Sequence, residues 1–153
     1  MKGDKAVIKV LNKALVEEIT AVLQYFLHAE MCENLGYGKL GDFIKKNSIG
    51  EMKHAEELIE RILYLEGDPD MNPLPLKIGK KIPEMIGYDL KLEQGAIKMY
   101  NDGIKLAREK GDDGSAELLK KLLLDEEEHE DWLETQLDQI DQIGLENYLT
   151  IWV

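Results

Sequence analysis

Two short segments share one pattern, a glutamate followed three positions later by a histidine: Glu51 with His54, and Glu126 with His129. On an α-helix, residues three apart share a face, so each pair aims a carboxylate and an imidazole at one point. That is a grip for a divalent cation. Two further glutamates, Glu18 and Glu93, lie inside stretches whose apolar residues recur at helical period, in the middle of the stripe rather than at its edge. Four carboxylates in an oily interior are very unfavourable unless protons, basic groups or cations neutralise them. The inward stripes hold no lysine or arginine. Two divalent ions would balance four carboxylates, and oxygen and imidazole donors without thiolate suit iron or manganese, with zinc as a competitor.

Spacing turns these residues into a set. Glu18 and Glu93 stand 75 positions apart, as do Glu51 and Glu126, His54 and His129, Tyr25 and Tyr100, and Gly36 and Gly111. A single Glu-x-x-His pair means little in a chain so rich in glutamate, but a common offset implies two related halves meeting about a pseudo-twofold axis. Glu51 and Glu126 are then expected to bridge two metal ions. Glu18 with His54 would complete one ion, and Glu93 with His129 the other. Burial and mutual repulsion should keep some of these glutamates protonated before metal enters, so uptake should release protons.

The elements that must position this set are helices. All four prolines fall between Gly67 and Pro83, leaving the rest of the chain free for long helices. Glycines at 36 and 38, and the Gly111–Gly114 stretch, break the two halves. The expected helices run about Asp4 to Leu35, Lys39 to Glu66, Pro83 to Lys110 and Ser115 to Ile143, with Asp4 and Ser115 as N-caps and Pro83 in a first turn. A short fifth helix is expected in the tail, Leu145 to Val153. The inward stripes comprise Leu11, Leu15, Val22 and Ala29; Ile44, Ala55, Leu58 and Ile62; Ile86, Leu90, Ile97, Ile104 and Ala107; and Leu119, Leu122, Leu133, Leu137 and Ile140. Short breaks make antiparallel neighbours. The 17 residues from Gly67 to Pro83 can extend roughly 56 Å, enough to run the roughly 42 Å of a helix of about 28 residues. The expected fold is all-α, a four-helix bundle with one long crossover, rather than two separate helical hairpins.

Composition sets outer bounds. The 153 residues suit a single domain over 1–153, and 44% hydrophobic content excludes disorder. A formal net charge of −12 argues against nucleic acid or an anionic membrane as partner. One cysteine, Cys32, rules out a disulfide framework or a thiolate cluster and reads as structural. Met1 to Val10 lacks the apolar core of a signal peptide, and no apolar run approaches a membrane span. A soluble cytoplasmic protein is expected. His28 lies off the core stripe and reads as a surface residue. Trp152 and the apolar tail are expected to pack on neighbouring subunits or close a shell opening.

The sequence resembles the bacterioferritins over essentially its whole length. The opening Met1-Lys2-Gly3-Asp4, the segment Glu51-Met52-Lys53-His54-Ala55, the run Ile59-Glu60-Arg61-Ile62-Leu63, the Trp132-Leu133-Glu134-Thr135 stretch and Gly144-Leu145-Glu146-Asn147-Tyr148 carry the likeness. Glu18, Glu51, His54, Glu93, Glu126 and His129 fill every ferroxidase ligand position of that family, and Tyr25 matches the tyrosine beside the site. The resemblance implies a ferritin-like bundle assembled from dimers into a homo-oligomeric shell of 24. In it, iron(II) is oxidised by dioxygen or hydrogen peroxide at a di-iron centre and stored as a ferric mineral, and a ferredoxin-type reductant serves its release. It also implies haem b between two subunits with Met52 as axial ligand.

By pattern alone, Met52 reads as an adaptable interface residue. It lies about 80° from its helix's core direction, beside Ile49, Ile59 and Leu63, and Ile19, Leu23 and Phe26 form a matching second stripe on the first helix. A second apolar face of this kind marks a subunit interface. Some bacterioferritins carry an inner-wall histidine and aspartate as an accessory iron site; Lys46 and Gly50 stand there instead, which argues against that site here. Two other readings stay open on the residues alone: a different di-metal peroxidase or catalase on the same bundle, and a non-enzymatic haem electron-transfer shell with an inert acid cluster. A rubrerythrin-like protein is excluded, since it needs several cysteines.

Overall fold

A computed structural model of residues 1–153 shows five helices and no strand: α1 (Lys5–Asn34), α2 (Gly38–Tyr64), α3 (Ile82–Glu109), α4 (Asp113–Ile143) and the short α5 (Leu145–Leu149). The first four form the expected bundle. α1 packs along α2 and α3 along α4, and the two hairpins meet through α1 with α3 and α2 with α4.

Local chemistry sets the helix ends. Asp4 caps α1, its carboxylate accepting from the backbone N–H of Ala6 at 2.7 Å and of Val7 at 3.3 Å. Pro83 sits in the first turn of α3, and Glu84 Oε1 accepts from Lys80 N–H at 3.0 Å. Ser115 does not cap α4. Asp112, three residues earlier, does, accepting from Ser115 N–H at 2.9 Å. Ser115 is instead buried, donating from Oγ to Asp112 at 2.7 Å and accepting from Arg61 Nε at 3.0 Å.

The hairpin turns repeat each other. α1 and α3 both end in a glycine with positive φ, +96° at Gly36 and +76° at Gly111, where a side chain would be strained. The next N–H in each case reaches back to a carbonyl five residues earlier, Tyr37 to Cys32 at 3.0 Å and Asp112 to Ala107 at 2.8 Å. The 75-residue offset thus extends to backbone hydrogen bonds.

The crossover, residues 65–81, lies along α1 and is tied to it by side chains. Asn12 Oδ1 accepts from Asp70 N–H at 2.7 Å, Thr20 Oγ1 from Leu74 N–H at 2.9 Å, Gln24 Oε1 from Lys77 N–H at 3.0 Å and His28 Nε2 from Gly79 N–H at 3.0 Å. From residue 12 to residue 28, α1 advances about 24 Å. An extended segment has no ladder of its own for these N–H groups, so the polar stripe on α1 satisfies them.

The apolar core is in two parts. One contains Val7, Leu11, Leu15, Leu58, Ile62, Tyr100, Leu119 and Leu122; the other contains Ala21, Tyr25, Ala29, Leu40, Ile44, Met85, Ile86 and Leu133. On each of the four long helices the residues between these two parts include a glutamate of the predicted set.

The tail folds back onto its own bundle. Trp152 meets Phe43 at 6.3 Å and Trp132 at 6.2 Å between ring centroids, and Phe43 stacks on Trp132 at 4.3 Å. Tyr148 is fully buried and donates to Gln136 Oε1 at 2.7 Å. After the turn at Gly144 (φ +82°) Trp152 thus joins an intrachain aromatic cluster, while Ile151 and Val153 beside it stay exposed.

Candidate metal centre

Glu18 from α1, Glu51 from α2, Glu93 from α3 and Glu126 from α4 are each 1% exposed and converge between the two apolar clusters. The histidines close the group from α2 and α4. His54 Nδ1 lies 3.0 Å from Glu126 Oε1, 3.4 Å from Glu18 Oε2 and 3.7 Å from Glu51 Oε2. His129 Nδ1 lies 2.8 Å from Glu51 Oε1, 3.5 Å from Glu126 Oε2 and 3.6 Å from Glu93 Oε1. Each histidine thus faces three carboxylates, and a shift of 75 positions maps one set onto the other.

Two quartets result: Glu18, Glu51, His54 and Glu126, and Glu51, Glu93, Glu126 and His129. Within each, one donor atom from every residue lies within 4.8 Å of the others. Glu51 and Glu126 belong to both.

Two buried phenols complete the symmetry. Tyr25 donates to Glu93 Oε1, and Tyr100 to Glu18 Oε1. Burial, and then the facing carboxylates, hold both phenols well above their usual pKa, so they stay protonated donors. Tyr100, which the sequence pairs with Tyr25 by the common offset but which was not counted among the site residues, therefore stands to Glu18 as Tyr25 stands to Glu93.

The electrostatics are those of a cluster short of positive charge. Burial, followed by the charge of Glu126, raises Glu18 to about 7. Burial, followed by Glu18 and Glu93, raises Glu51 to about 8. Burial and Glu126 push Glu93 well above the carboxylate range. For the histidines burial acts in the opposite sense, but hydrogen bonds to the surrounding carboxylates outweigh it, raising His54 and taking His129 up to about 12. Even so, the contacts are close without being well aligned: Glu18 Oε2, Glu51 Oε1, Glu93 Oε2, Glu126 Oε2 and His129 Nδ1 are buried with no hydrogen bond of good geometry, although His129 Nδ1 and Glu51 Oε1 lie at ion-pair distance. A buried carboxylate oxygen without a well-aligned hydrogen bond is costly. One on every glutamate, all facing a common centre, fits a pair of divalent cations.

A ferritin-like domain model matches residues 8–143. The chain is 44% identical over 149 residues to the bacterioferritin of Mycobacterium bovis, covering 97% of this chain and 94% of that protein. It is 42% identical over 151 residues to that of Streptomyces coelicolor, covering 98% and 90%. With the bacterioferritin of Brucella melitensis the identity is 43% over 149 residues, covering 97% and 92%.

The chain belongs to the bacterioferritin family.

Membership fixes the setting of the remaining residues. On this bacterioferritin fold Met52 is half-exposed on α2, among Ile49 and Leu63 of the same helix and Leu23 and Phe26 of α1, each at least 40% exposed. Ile19 and Ile59, read in the sequence as part of this outer stripe, are half-buried and pack against the core. Lys46 is exposed. No helix is long and apolar enough to cross a membrane.

The sequence reading of His28 is overturned as well. His28 is not a surface residue: it is 0% exposed. Its Nδ1 lies 2.9 Å from the buried Asp89 Oδ1 and its Nε2 accepts from Gly79. The crossover covers the helix face that a four-helix count alone leaves to solvent. The signal was available in Asn12, Thr20, Gln24 and His28, polar residues spaced by multiples of four on one side of α1. Cys32 is buried beside Met85, and burial raises its thiol to about 11, in keeping with a structural role.

Proposed function

We propose that this protein stores iron as a ferroxidase, oxidising iron(II) at the six-residue cluster and holding the ferric product as a mineral inside a hollow shell of 24 subunits built from dimers. The observation that supports this most directly is the pair of quartets sharing Glu51 and Glu126, with a buried oxygen on each glutamate that no well-aligned hydrogen bond satisfies. Glu51 and Glu126 would bridge two ferrous ions; Glu18 with His54, and Glu93 with His129, would complete their donor sets. Ferrous ions held side by side supply one electron each, the two electrons that take dioxygen to hydrogen peroxide, or hydrogen peroxide to water.

The chain's own residues prepare that event. Tyr25 and Tyr100 each fix one terminal carboxylate through a phenol hydrogen bond, leaving the second oxygen for the cation. The protons that burial holds on Glu18 and Glu51 balance the cluster's charge before iron arrives, and they leave as it enters. The two apolar clusters above and below the acids keep bulk water from the site.

The same reading extends to haem b between two subunits with Met52 as axial ligand, to a ferredoxin-type reductant for iron release, to one ferritin-like domain over residues 1–153 and to a cytoplasmic location. A thiol left free is in keeping with a reducing compartment.

Anaerobic addition of iron(II) to the metal-free protein, followed by mixing with oxygen or peroxide, tests the reading. Uptake of two ions per chain, rapid appearance of ferric absorbance and growth of a soluble mineral are expected, all lost in Glu51→Ala and Glu126→Ala. Peroxide disproportionation with manganese and no mineral, or no metal-dependent oxidation at all, would replace it.

A further inference from the structure

The pseudo-twofold relation that organises the cluster fails at one place. His54 presents Nδ1 to the three carboxylates, and its other ring nitrogen, Nε2, lies 2.9 Å from Asp125 Oδ2. An imidazole offers one nitrogen to a cation only when the other carries the proton, and a carboxylate accepting that proton fixes both tautomer and ring plane. Asp125 comes from α4, directly before Glu126, and reaches across the α2–α4 seam. Its neighbour one turn back, Lys121, is occupied by Glu57 at 2.6 Å, which leaves Asp125 to the histidine.

The 75-position counterpart of His54 is His129, and that of Asp125 is Gly50. His129 makes all its close carboxylate contacts through Nδ1. No carboxylate stands at position 50. A Cβ built there would meet nothing within 4 Å, and no carboxylate oxygen lies within 4.0 Å of His129 Nε2. The His129 side chain is correspondingly the more open, 19% exposed against 9% for His54.

We propose that Asp125 is a positioning residue that fixes the His54 ring, and that its missing counterpart at Gly50 makes the two cation positions unequal, with the His54 position the tighter. The inference rests on the reading that the two quartets hold divalent cations. Asp125 touches no cation and acts only through His54. Removal of such an outer partner weakens metal binding roughly 10- to 100-fold. The Asp125 side chain is 50% exposed, so the low end, about tenfold, applies.

An anaerobic cobalt(II) titration of the whole protein, read from the d–d absorption bands, separates the possibilities. The wild-type chain takes up two ions in unequal steps. In Asp125→Ala the tighter step weakens about tenfold and its absorption bands change shape, while the weaker step stays where it was. Asp125→Asn keeps an acceptor oxygen without the charge and falls between the two. Two equal steps in the wild type, unchanged constants in Asp125→Ala, or equal weakening of both steps would each overturn the proposal. Failure of the wild type to take up cobalt(II) would overturn the two-cation reading itself, which the variants' failure alone would leave standing.

Discussion

His28 Nδ1 and Asp89 Oδ1 lie 2.9 Å apart, with the histidine fully buried and the aspartate 3% exposed, and neither belongs to the metal cluster. Because His28 Nε2 accepts from Gly79 N–H, the ring proton sits on Nδ1 and is donated to Asp89. Asp89 also accepts from Gln24 Nε2 at 2.9 Å, and Gln24 in turn holds Lys77 of the crossover. Asp89 on α3 therefore anchors two α1 side chains that tie down the end of the crossover. His28→Ala strands the Gly79 N–H and removes one of the two donors to Asp89 Oδ1, leaving only Gln24, a loss of roughly 1–3 kcal/mol. Hydrogen exchange should show faster exchange at Gly79 and a lower melting temperature, with the Asp112 amide in the opposite hairpin unaffected. Unchanged protection at Gly79 would dispose of the anchor.

This strap also shows what the sequence left hidden. The bundle, its hairpin turns and the six convergent site residues were legible because each rests on a local period: 3.6 for the stripes, three for Glu-x-x-His, and glycine where the chain must turn. The common offset then carried local pattern into tertiary relation, from Glu18 and Glu93 to Gly36 and Gly111. His28 was misread because its partners, Gly79 and Asp89, are 51 and 61 residues away; the polar stripe it shares with Asn12, Thr20 and Gln24 marks a covered side of α1 without naming what covers it. Ser115 was misread for a subtler reason. Asp112 and Ser115 both suit a cap, and the choice was made by Arg61, which draws both into one buried network from another helix.

The metal-free protein should lose stability as pH rises. Unfolded, Glu18 and Glu51 titrate near 4.5; folded, they titrate near 7 and 8. The native state therefore holds protons that the unfolded chain has released, so the stability linked to them is full below about pH 4.5 and lost as pH climbs through 7 and 8. His54 and His129 are shifted in the same direction and extend the trend to higher pH. The decline should amount to several kcal/mol, on the order of that implied by shifts of this size. Divalent cations replace those protons, so the rise in melting temperature on adding zinc(II) should be larger at about pH 8 than at about pH 5.5. Melting curves with chelator and with zinc(II) across this range provide the check. A metal-free protein that grows more stable from about pH 5.5 to 8 would contradict the assignment of raised pKa values to the cluster.

Met52 offers a test of the haem reading that leaves the iron chemistry intact. Its side chain is 52% exposed on a face of α1 and α2 that also leaves Leu23, Phe26, Ile49 and Leu63 uncovered. A thioether there finds no partner within the chain, and a twofold axis through this face would bring two copies of Met52 towards one iron. Leucine keeps the apolar volume but has no sulfur lone pair, so Met52→Leu should still dimerise and still oxidise iron(II). Haem reconstitution of the wild type should saturate near one haem per two chains, with a Soret band characteristic of bis-methionine ligation. The variant should lose that band, while its elution volume and ferrous oxidation rate stay unchanged. A Soret band of the same position and amplitude in Met52→Leu would move the haem elsewhere, and Met52 would then be only an apolar contact between copies.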